Sequence, residues 1–174
     1  MAKVEQMVAI AQKIVTRAHH FLKVKENINK RGGYFVVVNH QRAEFILAVK
    51  IGQVSKEKTK KYEVLAREKA WRLYSHISNW TSFESRNEEA EVVVYDDSRP
   101  QRTAWTEPWG QWGGAVRGNR YIFSFSGFPE LLDEAMMFVL AVKMGDLSRE
   151  WVLERFGARN EYLAPFLAEC SWTE

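Results

Sequence analysis

Tyr34-Phe-Val-Val-Val-Asn39, the link Asn39-His-Gln-Arg42 and the run from Ala43 to Ile51 together decide the fold. The first run is unbroken in β-branched and aromatic residues, the pattern of a strand covered on both faces. The second run is also a strand. The link is short and polar, so the pair reads as an antiparallel hairpin. Upstream, Val4, Val8, Ala11, Val15, Ala18 and Leu22 recur every three or four residues, and Met7, Ile10, Ile14 and Phe21 widen the stripe. That spacing predicts a helix from about Ala2 to Asn29. Arg31-Gly32-Gly33 is read as its stop, because glycine tolerates the positive φ of a C-cap.

Downstream, a second helix is expected from about Ser55, a plausible N-cap region, to Ser78. Its stripe is Tyr62, Leu65, Ala66, Lys69, Ala70, Leu73 and Ile77. Glu91-Val-Val-Val-Tyr95 predicts a further strand, and Asp96 to Pro100 a turn. Trp105-Thr-Glu-Pro-Trp-Gly-Gln-Trp112 mixes three tryptophans with Pro and Gly, which suits an ordered loop. Ala115 to Ser126 forms a second hairpin around Gly118-Asn119. Gly127-Phe-Pro129 opens a third helix, with proline near the first position, where its missing N–H costs nothing. Leu131 to Met144 is apolar nearly all round, so this helix is buried. Leu147–Phe156 and Glu161–Glu169 are short amphipathic helices.

Hairpins separated by helices imply a mixed or antiparallel sheet rather than a doubly wound parallel one. The fold class is therefore α/β in the α+β sense, a layered fold whose mostly antiparallel sheet is flanked by helices. Residues 1–145 make the α/β domain, and residues 146–174 a helical extension packed on it.

A chain of 174 residues with 46% hydrophobic and 27% charged residues is neither disordered nor too small for a core. No stretch approaches the roughly 20 apolar residues of a membrane span, and the N-terminal segment is too polar for a signal peptide. Cys170 is the only cysteine, which excludes a disulfide or cysteine-based zinc site within one chain. A cytoplasmic location is the default. The net charge of +3 hides an imbalance: residues 1–61 carry 13 Lys/Arg against four Glu. Lys56-Glu-Lys-Thr-Lys-Lys61 reads either as a solvated helix start or as an attractor of anionic ligands. No nucleic-acid module is recognisable, so neither nucleic acid nor membrane is an expected partner.

Two segments carry a family resemblance. Gly113-Gly-Ala-Val-Arg-Gly-Asn-Arg-Tyr-Ile-Phe-Ser-Phe-Ser-Gly127, followed by Asp133-Glu-Ala135, resembles the last hairpin and helix of GlcG/HbpS-like domains. Ala66-Arg-Glu-Lys-Ala70 resembles the alanine-lysine signature on their central helix. Element order agrees from about residue 3 to residue 144. The resemblance implies a profilin-like α/β/α fold, assembly into homo-oligomers, and haem or corrinoid binding in some members, among them the C-terminal domain of PduO-type proteins. Phe123 and Phe125 stand where that family has small residues.

Lys69 is the anomaly of the second helix, since a lysine within an apolar stripe must either reach an edge or meet a carboxylate. The family pattern implies Asp133 as that partner, in a structural ion pair. The alternative, a catalytic lysine, has no accompanying aldolase-like context. Of the four histidines none is spaced as a metal pair, and no metal site is expected. His19 borders the first helix's stripe and is the candidate haem ligand, or else an ordinary boundary histidine. Trp105, Trp109 and Trp112 would stack on a planar ligand, form an oligomer contact, or plug the end of the sheet. Ser126 and Gly127 precede a helix N-terminus that attracts anions, although simple capping explains them as well. No Gly-x-Ser-x-Gly motif supports a serine nucleophile. The expectation is a non-enzymatic binding or assembly domain for a small planar or anionic ligand, haem among them. The alternatives are an enzyme or accessory subunit acting on such a ligand, or a closed-core interaction domain. Strand alternation puts Phe123 and Phe125 on one face. If both turn toward the third helix, no pocket remains there.

Overall fold

The computed structural model describes residues 2–86 and 112–171. Its elements are α1 (Ala2–Glu26), β1 (Arg31–Asn39), β2 (Glu44–Gln53), α2 (Lys56–Ser75), β3 (Ala115–Arg117), β4 (Tyr121–Ser126), α3 (Glu130–Lys143), α4 (Arg149–Phe156) and α5 (Leu163–Glu169). The four strands form one antiparallel sheet in the order β2-β1-β4-β3. This is the α+β fold with flanking helices. The expected strand Glu91–Tyr95, with Trp105 and Trp109, lies outside the described residues.

The period of two along β1 and β4 divides the core. Phe35 faces Phe125 and Val37 faces Phe123 across the β1–β4 pair. These four side chains pack with the stripes of α1 and α3 and with Phe156 and Phe166 from the tail. The alternate residues Val36, Val38 and Ile122 face the other way, onto Ala66, Ala70, Trp71 and Leu73 of α2. Ser124 sits among them without cost because its Oγ donates to the Ala66 carbonyl at 2.7 Å. The result is three layers, with α1 and α3 on one face and α2 on the other.

Two element ends differ from the sequence reading. Helix α1 stops at Glu26, and the left-handed residue that follows is Asn27, with φ of +55°. Gly32 and Gly33 belong to β1. A Cβ at Gly33 would stand 2.2 Å from the Ser126 carbonyl and 2.6 Å from the Phe125 ring, so the residue is small because β4 passes over it. Helix α2 stops at Ser75 rather than Ser78, and Ile77, counted in its stripe, is 82% exposed. The cause is Arg117 of β3. Its guanidinium donates to the Leu73 carbonyl, to the His76 carbonyl at 3.4 Å and to the Asn79 carbonyl at 3.0 Å. The Leu73 carbonyl lies in the last turn of α2 and the other two just beyond its end. At the other end, Ser55 Oγ accepts from the Lys58 N–H at 3.3 Å.

The C-terminal helices complete the same core. Asn160 donates to the Leu131 carbonyl at 2.8 Å and to Glu134 Oε1 at 3.0 Å, and Arg159 meets Glu134 at 2.7 Å. The Phe138 and Phe156 rings meet at a tilt of 32° with centroids 4.7 Å apart. Burial raises the Glu134 carboxyl above its ordinary value, while Arg159 and Asn160 hold it down.

Candidate functional site

Lys69 sits one turn beyond Leu65 on the inner face of α2, and only 2% of its side chain is exposed. Its Nζ donates to the Phe125 carbonyl at 3.0 Å and to Asp133 Oδ2 at 3.4 Å. Of its three N–H groups, these acceptors occupy two. Asp133, on the first turn of α3, also accepts from the Phe128 N–H at 3.0 Å and the Gly127 N–H at 3.4 Å. The pair thus ties α2 to the β4–α3 junction. Gly114, with φ of +122°, makes the approach feasible: a Cβ there would stand 2.9 Å from Lys69 Nζ and 2.9 Å from Asp133 Cβ.

Burial acts on both partners in the same sense, because it penalises each charge. It pushes the Asp133 carboxyl up to about 7, against the pull of Lys69 and the Phe128 N–H. It lowers Lys69 below the usual ammonium value, against the attraction of Asp133 and Glu68. Charged and neutral forms of the pair are therefore closer in free energy than the same groups in water.

A cavity of about 250 Å³ adjoins the pair. Lys61, Tyr62 and Leu65 of α2 line one side, and Ser126, Gly127, Phe128 and Pro129 the other. Trp112, Lys30 and Glu130 complete it, with Lys69 and Asp133 also in contact. Tyr62, Leu65, Trp112, Phe128 and Pro129 give it apolar walls, shared with the charged side chains of Lys30, Lys61, Lys69, Glu130 and Asp133. Glu130 is engaged by the Gly113 N–H at 2.8 Å and by Arg86 at 3.5 Å. Lys30 is exposed and close enough for its charge to help hold the Asp133 carboxyl down. The Ser126 hydroxyl makes no hydrogen bond among the described residues.

Neither a family model nor a curated protein nor a solved structure matches the chain.

Of the residues singled out in the sequence, the fold brings Lys69, Asp133, Trp112, Ser126 and Gly127 to this one cavity. His19 is elsewhere in function: its Nδ1 donates to the Lys30 carbonyl at 2.8 Å, tying α1 to the start of β1, and it lines no part of the space. Phe123 and Phe125 both turn toward α1 and α3 and fill that layer. The pocket considered between the second hairpin and the third helix is closed there, and the space lies on the α2 side of the junction. Lys30, Tyr62, Leu65 and Glu130 join the lining without having been singled out as site residues in the sequence, and Lys61 comes from the basic run read there as a possible anion attractor. Tyr62 and Leu65 did carry a signal, because their helical spacing puts them on the face of Lys69.

Two other hollows offer less. One of about 480 Å³ lies against Asn29, Arg31, Lys50 and Ser55, and Arg31 there is engaged with Asn29 and Gln53. One of about 290 Å³ lies against Trp80, Leu147 and Trp151. Neither has a buried ionisable side chain in its lining. Among the described residues no group of three or more His, Cys, Asp or Glu is placed to hold a metal, and no helix is long and apolar enough to cross a membrane.

Proposed function

We propose that this chain is a non-enzymatic ligand-binding domain of the GlcG/HbpS type, which holds a small planar anion in the cavity beside Lys69. The observation that carries the reading is the Lys69 ammonium. It is buried beside a space lined in part by Tyr62, Trp112 and Phe128, and two of its three N–H groups are engaged among the described residues. A carboxylate on a flat ring meets both requirements, with the ring between Trp112 and the α2 side chains and the charge toward Lys69 and Lys30. Haem is the ligand that the family resemblance suggests. The volume favours something smaller, since it falls below the roughly 300–1,000 Å³ of clefts that enclose drug-sized ligands, and His19 lines no part of it. The same reading includes a homo-oligomer in the cytoplasm, supported by β2. That strand is one of the sheet's two outer strands among the described residues, and Phe45 to Val49 along it are only half-buried.

Titration with benzoate, followed by calorimetry and by tryptophan fluorescence, tests the proposal. Saturable binding that is lost in Lys69→Met supports it. A Soret shift at sub-stoichiometric haem that benzoate does not compete away would replace the small anion with haem. Silence toward both ligands would leave a closed-core interaction domain.

A further inference from the structure

The buried pair offers chemistry that anion binding does not use. Lys69 places a primary amine at the inner wall of the cavity, and Asp133 stands 3.4 Å from it as a proton acceptor. Tyr62, Leu65 and Phe128 line the space beside them, and each partner's side chain is itself only 2% exposed. An amine so placed is a nucleophile once its proton has somewhere to go, and the carboxylate is that place. Resting on the anion-binding reading, we propose that Lys69 captures planar aromatic aldehydes bearing a carboxylate, as an imine with Asp133 as proton shuttle.

The ammonium gives one proton to the Asp133 carboxylate and becomes a neutral amine. Its nitrogen attacks the aldehyde carbon, forming a C–N bond while the carbonyl oxygen takes up the amine's proton, which gives a carbinolamine. The Asp133 carboxyl then returns its proton to the departing hydroxyl. Water leaves, the nitrogen lone pair closes the C=N bond, and the protonated imine faces a carboxylate again. No oxidant or reductant is consumed. The lowered ammonium and raised carboxyl both favour the first transfer. Two backbone N–H groups, from Gly127 and Phe128, fix the carboxylate's position throughout.

The full-length chain is incubated with one equivalent of 4-formylbenzoate, treated with borohydride and digested, and the reduced adduct is located by mass spectrometry. The expected result is a single adduct on Lys69, suppressed by excess benzoate. Asp133→Asn, shown folded by circular dichroism, should slow labelling at saturating 4-formylbenzoate by about 10²-fold, the usual size of a general acid–base contribution, so that a change in anion affinity does not enter the comparison. Adducts on Lys30, Lys61 or other lysines with Lys69 unmodified, while benzoate still binds, overturn the imine and leave the anion-binding reading standing. Absence of both benzoate binding and saturable labelling overturns both. The wild-type labelling decides the matter even if the variant fails to fold.

Discussion

Truncating Lys69 leaves the Asp133 carboxyl in a dry setting with no cation beside it. Lys69→Ala is expected to lower the unfolding free energy by about 3–5 kcal/mol in urea denaturation, the usual loss when one partner of a buried pair is removed. A loss near the ~1 kcal/mol of an exposed pair would mean that water reaches both groups. The pH dependence has a definite sign. The carboxyl of Asp133 is raised from 3.8 to about 7 in the folded state, chiefly by desolvation, so the folded chain holds a proton that the unfolded chain has released. That contribution to stability is full below about pH 4 and is lost as the pH rises through about 7. Glu134, raised for the same reason, acts in the same direction. Between pH 4.5 and 7.5 urea midpoints should fall more steeply, or rise less, with pH in the parent than in Asp133→Asn, whereas His40, whose imidazole pKa burial lowers, acts in the opposite sense in both. Equal slopes in the two proteins would contradict this. Lys69 was legible in the sequence because a charge inside an apolar stripe is a local anomaly. Lys30 was not, because it reaches the cavity only through the path of β1, which no local pattern records.

Gly33 shows the limit of local reading at the scale of an element. Glycine is required both where a helix ends with positive φ and where another backbone crosses closely, and the letters do not say which. Here the crossing is β4, and Gly33→Ala should destabilise by about 1–3 kcal/mol, as overpacking does. Crowding of the Ser126 carbonyl should also weaken benzoate binding. An alanine variant as stable as the parent would mean that β1 and β4 leave room for a methyl group at this crossing. The hairpins and the helix stripes were legible, since periods of 2 and 3.6 are local properties. The end of α2 was not. It depends on Arg117, 41 residues beyond His76, whose charge gives no hint within its own strand that it serves a distant helix.

At the scale of the molecule, β2 leaves one edge of the sheet without a further strand among the described residues. Phe45 to Val49 along it are half-buried, and the proposed homo-oligomer, with closed symmetry as the default, would cover this edge. Light scattering at micromolar concentration should return a multiple of 20.3 kDa, and the single-chain mass would refute the assembly. The Lys69–Asp133 contact has a further consequence for the order in which the layers come apart. It is the one salt bridge among the described residues that joins α2 to α3, on opposite faces of the sheet. Lifting either helix alone would strand a charge in an apolar layer, so partial opening is penalised more than separate hydrophobic contacts would penalise it. Native-state hydrogen exchange should show the amides of α2 and α3 converging on a shared opening free energy under rising denaturant. In Lys69→Met the α2 amides should separate and exchange first. The molecule would then be a single cooperative unit by virtue of one buried proton-sharing contact.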